Sequence, residues 1–403
     1  LSGTTNSLTE ISNSLSKGER AGAKQQIDAL ELHYQNFIIK LVKTEDAYSK
    51  AKAVVAEHFE FLNIILKISY SDALNKDILA QGELLSSKLF SLYLKEQNIA
   101  HEWLPALDFM TIDALDEPQI GTIKVKLAQI LQRFKNTSLF VTQGYICRNA
   151  KGEVDNLKRG GSDYSASLIA AAINASVCEI WTDIDGMHNN DPRVVTNTKP
   201  IEQLSFEEAA ELAYFGAKIL HPASIWPAQT FNIPVKLLNT LQPYAKGTLI
   251  ISDAGSTGVK AVAAKDYITA IKIKSSRMLL AYGFLRKIFE VFEKYRTSID
   301  MVTTSEVAVS VTIDNDAYLN KIIKELEVFG SVEVDTNHTI VSIVGNEITE
   351  TEDVMKKIFE TISSIPVRMV SYGGSRHNIS LLISRDDKEK ALQLLNKGLF
   401  GME

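Results

Sequence analysis

Residues 138–184 read as a strand, a glycine-bearing loop, a helix and a second strand, and no other feature constrains the fold as strongly. Residues 138–146 carry the first strand. The loop is Lys158-Arg159-Gly160-Gly161-Ser162-Asp163, the helix runs from 164 to about 175, and the second strand covers 177–184. Strands joined through a helix are parallel and need helices over their faces, so this βαβ unit predicts an α/β sandwich with a largely parallel sheet. The uncharged stretch 164–178 is rich in Ala and Ser. It is too short to span a bilayer, which takes roughly 20 apolar residues, and reads as a buried helix running into a strand.

Around this unit the chain is mixed. From 7 to about 94 the pattern is helical, with Ile27, Leu30, Leu32, Phe37, Ile38 and Leu41 at helix-face spacings. An extended segment at 101–106 and a helix at 125–134 come before the first strand. A helix at 206–214, Gly216 and a β-like run at 234–238 follow the second. Residues 252–258 hold Ser, Asp, Gly and Thr and suit a linker.

Beyond that linker lies an internal repeat. Lys287-Ile288-Phe289-Glu290 returns as Lys357-Ile358-Phe359-Glu360, each time in an amphipathic helix. Each helix leads to a strand (298–304; 367–372), a break, a second strand (307–313; 379–383) and another helix (317–329; 388–399). Leading strands at 268–273 and 339–344 make each copy β-α-β-β-α, and the first gains a closing strand near Val332. Such duplicated modules pair sheets edge to edge, which hides open strands.

The chain has 403 residues, enough for two or three domains, since single cores stop growing near 250–300 residues. Net charge is −6 with Lys and Arg scattered, so a nucleic-acid partner is not expected. Cys147 and Cys178 are the only cysteines and define neither a disulfide framework nor a metal site. Two reduced, semi-buried thiols in a cytoplasmic protein is the expectation. No secretory leader is legible, and no Ser-His-Asp set or clustered metal-ligand spacing occurs.

Five clusters could carry chemistry. In Arg159-Gly160-Gly161-Ser162-Asp163, glycines admit close approach, the helix start offers free N–H groups to an anion, and Arg159 can grip a carboxylate with two bonds. The alternative is a tight turn capped by Ser162 or Asp163. In Trp181-Thr182-Asp183-Ile184-Asp185-Gly186, followed by Asn190-Asp191-Pro192-Arg193, polar groups gather where a strand ends, the usual ligand side of an open α/β sheet; a solvated turn is the alternative. Lys218, in Phe215-Gly216-Ala217-Lys218, could meet a phosphate or stay in solvent. Gly82 costs a helix about 1 kcal/mol, which suggests close approach of a ligand or another backbone, and Glu83 beside it could pair with an ammonium or remain a solvated helix-face residue. Ser2-Gly3-Thr4-Thr5-Asn6 is either a helix cap or a hydroxyl cluster around a small polar substrate. His221, before Pro222, reads as structural.

In order and spacing, these clusters resemble aspartate kinase. The resemblance rests on Leu1-Ser2-Gly3-Thr4-Thr5-Asn6, Gln81-Gly82-Glu83, Val141-Thr142-Gln143-Gly144, Arg159-Gly160-Gly161-Ser162-Asp163-Tyr164, Trp181-Thr182-Asp183, Asp191-Pro192-Arg193-Val194-Val195, Phe215-Gly216-Ala217-Lys218-Ile219-Leu220-His221-Pro222 and Gly247-Thr248-Leu249-Ile250. It covers essentially the whole chain, and the C-terminal repeat is similar to the family's paired ACT domains. It implies a carbamate-kinase-like αβα sandwich over 1–251, with two ferredoxin-like ACT domains at 252–334 and 335–403. The implied reaction is phosphorylation of the L-aspartate β-carboxylate by ATP, with Mg²⁺ carried in on the nucleotide and no protein metal site. Glutamate 5-kinase and acetylglutamate kinase share the fold, but the duplicated module and Phe215-Gly216-Ala217-Lys218 speak against them. A non-catalytic amino-acid sensor is the rival from another class.

By motif, Arg159 would clamp the substrate α-carboxylate, Glu83 its ammonium, and Thr5 would lie close by. Gly160, Gly161, Ser162 and Asp163 would border the transferring phosphate. Thr182, Asp183, His188, Arg193 and Lys218 would hold the nucleotide, with His188 standing where relatives often carry Tyr. Met278, Phe284, Asp300, Thr304, Ser305 and Glu306 would bind an effector, L-lysine to judge by the pattern's likeness to lysine-inhibited members. The effector would sit between ACT units of a homodimer. The family also has a preceding strand with Lys-Phe-Gly-Gly-Thr-Ser, which this sequence lacks, so the expectation is that it starts inside the domain. Ending after the second ACT-like unit, it is expected to be monofunctional.

Overall fold

The structure is a computed structural model and describes every residue except 158–159, 217–219, 256, 276–281 and 403. It divides into two compact units, Leu1–Cys178 with Ala223–Ile233, and Glu179–Pro222 with Pro234–Glu403.

The first unit opens with four helices, α1 (Thr4–Ser16), α2 (Arg20–Leu41), α3 (Glu45–Ile65) and α4 (Asp72–Glu96). Their ends follow the sequence. Thr44 caps α3 by accepting from the Ala47 N–H, Ser71 caps α4 by accepting from the Leu74 N–H, and Glu45 and Asp46 place negative charge on the first turn of α3. Apolar stripes meet in one core around Ile11, Ile27, Tyr34, Ile38, Phe59, Leu62 and Ile78, all at most 2% exposed. Each such burial contributes about 1.5–3 kcal/mol. Strand β1 (Glu102–Leu104) pairs in parallel with β2 (Phe140–Thr142), and α5 (Ile120–Leu131) packs with α6 (Gly161–Ile173).

The strand expected over 138–146 is broken. After β2 the chain turns at Gly144 and Tyr145, whose φ is 68°, then enters a hairpin of β3 (Ile146–Arg148) and β4 (Val154–Asn156). Both cysteines are buried, not semi-buried, and burial pushes the Cys147 thiol up to about 12.

The second unit holds two sheets. In the first, the order is β5 (Cys178–Thr182), β7 (Val235–Asn239), β8 (Thr248–Ile251), β6 (Gln203–Ser205). β6 and β8 are parallel but β7 and β8 antiparallel, so pairing is more mixed than the βαβ reading implied. Helix α7 (Phe206–Phe215) begins on a capping box: the Ser205 hydroxyl accepts from the Glu208 N–H, and Glu208 accepts from the Ser205 N–H at 2.7 Å. Helix α8 (Pro222–Thr230) follows and, from Ala223 on, belongs to the first unit.

The second sheet is six-stranded and antiparallel wherever paired, in the order β10 (Val302–Thr304), β11 (Ala308–Ile313), β9 (Gly258–Lys274), β12 (Ser331–Asn346), β14 (Asn378–Ser384), β13 (Val367–Ser371). Helices α9 (Phe284–Lys294), α10 (Leu319–Leu326), α11 (Val354–Thr361) and α12 (Lys388–Phe400) cover it. The repeat is real in three dimensions. Ile288 and Ile358 are both fully buried, and Phe289 and Phe359 are both 37% exposed. The two leading strands are longer than their sequence patterns. β9 pairs through residues 270–274 with 331–335 of β12, and through 258–268 with 338–346. The expected linker therefore already ends in sheet at Gly258, and a single ladder runs through both copies.

Candidate functional site

On the first unit, α6 starts at Gly161, three residues before the expected Tyr164. Its N-cap is Gly160 at φ 77°, and no side chain caps the helix. The capping roles considered for Ser162 and Asp163 are therefore not used. The first-turn N–H groups keep their partial positive charge for an anion. Ser162 is exposed, and burial raises the Asp163 carboxyl above its ordinary range.

The turn at Gly144-Tyr145 is held against this helix start. The Tyr145 N–H donates to the Ser165 hydroxyl at 2.8 Å, and a Cβ on Gly144 would lie 2.7 Å from the Ser162 hydroxyl. Only glycine fits there. The Tyr145 ring reaches within 3.4 Å of where a Gly161 Cβ would be, and its phenol feels the Glu83 carboxylate. Through Tyr145, Glu83 is linked electrostatically to the neighbourhood of the α6 start. It is half-buried, burial raises its pKa, and its carboxylate makes no hydrogen bond among the described residues. A carboxylate so placed suits an incoming ammonium.

Gly82 has a packing reason. A Cβ there would lie 3.2 Å from Leu8 and 3.3 Å from Thr4, so the close approach is to α1 side chains. Thr4 is buried and shares a hydrogen bond with the Tyr34 hydroxyl at 3.0 Å. Thr5 is exposed one position on. Helix α1 begins on Gly3 at φ 84° without a side-chain cap, so the Ser2-Gly3-Thr4-Thr5-Asn6 cluster does not form the side-chain cap considered for it.

Residues that sequence reading left without a role fix this arrangement. Lys76 on α4 donates to Asp155 on β4 at 2.6 Å, and the Asp155 side chain is 2% exposed. Buried Gln143 accepts from the Ala106 N–H at 2.7 Å and donates to the Ser87 hydroxyl at 2.8 Å. Both bridges hold α4, and so Glu83, to the chain on either side of Tyr145. The only sequence signal was Gln143 inside a motif; nothing local marked Lys76 or Asp155, 79 positions apart.

On the second unit, the Thr182 hydroxyl ends β5 and donates to Asp183 at 3.1 Å, and Asp183 is exposed. His188 is engaged at both ring nitrogens, 2.8 Å from Asp185 and 2.8 Å from the Thr198 hydroxyl. Arg193 is 74% exposed and grips Asp191 with two bonds of 2.9 and 2.8 Å. Burial alone would raise the Asp191 carboxyl, but Arg193 overrides it and the net shift is downward. The loop between is anchored to the six-stranded sheet: the Val262 N–H donates to the Asn189 carbonyl at 2.8 Å, and the Asn190 amide donates to the Leu392 carbonyl at 3.0 Å.

Of the expected effector residues, Ser305 lines a cleft of 350 Å³ with Lys272, Lys274 and Val307. Thr304 and Glu306 are exposed beside it in sequence. Phe284 is 8% exposed and packs edge-on against Phe329 in the core. Asp300 is engaged by Tyr214 and Lys265, both at 2.7 Å. Arg159, Lys218 and Met278 lie outside the described residues. Among the described residues no group of three or more His, Cys, Asp or Glu is placed to hold a metal ion, and no helix is long and apolar enough to cross a membrane.

A profile of the Amino acid kinase family matches residues 3–239, and an ACT domain profile matches 341–399. Lysine-sensitive aspartokinase 3 of Escherichia coli K12 is 34% identical over 99% of this chain and 90% of its own length. Aspartokinase 3, chloroplastic, of Arabidopsis thaliana is 32% identical over 89% of this chain and 68% of its own. The crystal structure of E. coli aspartokinase III with aspartate and ADP (R-state) matches with TM-score 0.83 at 32% identity, and that with lysine and aspartate (T-state) with 0.80; each match covers 99% of this chain and 91% of the other. A glycine-opened helix, a half-buried carboxylate linked to it through Tyr145, a doubled C-terminal module and these full-length matches agree: the chain belongs to the aspartokinase family.

Proposed function

We propose that this protein transfers the γ-phosphoryl group of ATP to the β-carboxylate of L-aspartate, releasing ADP and L-aspartyl-4-phosphate, and that L-lysine inhibits it. The observation that carries the reading is the α6 start: glycines at its head, no side-chain cap, and the Glu83 carboxylate in the same neighbourhood. The E. coli relative has been crystallised with aspartate and ADP, and with lysine and aspartate.

In this reading Arg159 clamps the α-carboxylate, Glu83 pairs with the ammonium, and Thr5 lies alongside. Gly160, Gly161, Ser162 and Asp163 border the transferring phosphoryl group. Thr182, Asp183, His188, Arg193 and Lys218 serve the nucleotide. One β-carboxylate oxygen forms the new P–O bond as the bond to ADP breaks. The nucleophile is already ionised at neutral pH, so no general base is needed, and catalysis reduces to positioning and charge neutralisation. Mg²⁺ would arrive on the nucleotide and neutralise phosphate charge. That ion keeps several waters and takes substrate phosphates as ligands.

We assign 1–251 to the kinase domain and 252–334 and 335–403 to the two ACT modules, with a homodimer formed through the latter, acting in the cytoplasm. Lysine is assigned to Met278, Phe284, Asp300, Thr304, Ser305 and Glu306. Supporting this are the Ser305 cleft and its flanking lysines, which would attract an effector carboxylate.

The test is ADP release with aspartate and glutamate offered separately. Aspartate-dependent release is expected, and release with glutamate alone would replace the substrate. Lysine at a hundred times its Kd should stabilise the protein by about 2.7 kcal/mol, read as a thermal shift. A shift with threonine but none with lysine would overturn the effector.

A further inference from the structure

We propose that Tyr214, Lys265 and Asp300 form a latch, closed on the buried Asp300 carboxylate, through which the six-stranded sheet sets the backbone at Gly216, making Tyr214 a positioning residue for nucleotide binding. The segment beginning at Gly216 carries Lys218, whose nucleotide role rests on the function proposed above.

The latch joins three elements. Tyr214 belongs to the last turn of α7. Its hydroxyl donates to Asp300 at 2.7 Å, and its ring lies 4.3 Å from the Lys265 ammonium. Lys265, on β9, donates to the same Asp300 oxygen at 2.7 Å and to Asp314 at 2.8 Å. Asp300 immediately precedes the β10 end of the sheet, where its N–H donates to the Thr312 carbonyl. Two positions beyond Tyr214, Gly216 caps α7 at φ 146°, and a Cβ there would come within 2.4 Å of the Ala264 carbonyl oxygen. The end of α7 is thus pressed on residues 264 and 265 of one strand, by a side chain and by bare backbone. Two more ties carry the rest of the helix: Lys260 donates to Glu208 at 2.9 Å, and the Asn378 amide donates to Glu211 at 2.9 Å.

A passive anchor would satisfy its buried carboxylate fully. The Asp300 side chain has no exposed surface, yet both donors share Oδ1 while Oδ2 is buried with no partner among the described residues. An orphaned oxygen of that kind is costly and calls for an explanation. Here a second arrangement is within reach. Lys265 already shares its charge with half-exposed Asp314, so it can release Asp300 without losing every anionic partner. A cation arriving at Oδ2 would favour that release. An element with two such arrangements is what coupling between sites requires.

Tyr214→Phe removes the hydroxyl and keeps the ring. ADP binding to the full chain, measured by titration calorimetry, should weaken at least about fivefold, the low end of typical coupling. The aspartate KM should stay within about twofold, and the amides of residues 213–216 should exchange hydrogen faster. Parent-like ADP affinity would overturn the proposal. So would a parallel loss of ADP and aspartate binding with a lowered Tm, the mark of a purely structural residue. If the parent binds no ADP, the nucleotide reading fails on its own account. Exchange then decides the latch, and unchanged protection at 213–216 sinks it.

Discussion

In the first unit the Glu83 carboxylate is half-buried without a hydrogen bond among the described residues, whereas in the second unit Asp185, Asp191 and Asp300 each hold an imidazole or a cation. The two proposed ligand regions, each within its own unit, are prepared in opposite ways. On the aspartate side, charge is used to brace the scaffold: Lys76–Asp155 fixes the hairpin after Tyr145 and leaves Glu83 open. On the nucleotide side His188 and Arg193 are already engaged by Asp185 and Asp191, and their loop is anchored to the six-stranded sheet. A ligand there must rearrange existing pairs, so the regulatory sheet can bias nucleotide binding before it touches aspartate binding.

The sharpest way to break this contrast is to delete one lysine from each side. Lys265→Met leaves Asp300 buried beside only a phenol, and Lys76→Met leaves Asp155 buried without its cation. Removing one partner of a buried pair costs about 3–5 kcal/mol, so both variants should unfold at clearly lower urea concentration. Only Lys265→Met should also weaken ADP binding. Equal loss of ADP affinity in both would erase the distinction between brace and latch.

Next in size is Arg159→Ala. Losing a two-bond grip on a carboxylate removes about 3 kcal/mol, or roughly a hundredfold in the aspartate KM, while ADP affinity is kept. An unchanged KM would remove the clamp from the aspartate side.

How much of this could be read from the sequence follows from the range of each interaction. The helix expected at 206–214 and the paired helices at 288 and 358 are local patterns, and both appear where periodicity and spacing put them. The α6 loop was legible because glycines at a helix start have few other uses. Its exact start was missed because Gly160 takes a left-handed φ that propensity does not report. The break at Tyr145 was hidden inside an apolar run, since the cause is Ser162 pressing on Gly144 from another element. The single ladder through both modules was hidden too: each half of β9 looks like an ordinary strand, and only pairing shows that it serves two partners. Lys76–Asp155 and Tyr214–Asp300 lie 79 and 86 positions apart, and no local pattern encodes them.

A finer test of the aspartate side is its pH profile. Burial raises the Glu83 pKa, so the carboxylate loses its charge at a higher pH than an ordinary Glu. The free enzyme's kcat/KM for aspartate should therefore fall as pH drops through that raised value, by about tenfold per pH unit below it. Glu83→Gln should lower the plateau and remove this limb. A limb that persists in Glu83→Gln would belong to another group.

Gly82→Ala should have the smallest effect and the most specific meaning. The substitution gains up to about 1 kcal/mol of helix propensity. Against it, the new methyl would sit 3.2 Å from Leu8 and 3.3 Å from Thr4, and neither yields easily: Leu8 is 1% exposed, and Thr4 is buried and tied to Tyr34. The two terms nearly cancel, so stability should change by less than about 1 kcal/mol. Any relief must come from α4 rotating or shifting away from α1, which carries Glu83 with it. The aspartate KM should then rise a few-fold, by analogy with other small misplacements of positioning groups, while ADP binding stays as in the parent. If stability rises by the full propensity gain with KM unchanged, α1 and α4 are not held as tightly as the aspartate side requires, and the contrast between an open, braced half and a paired, movable half loses its first member.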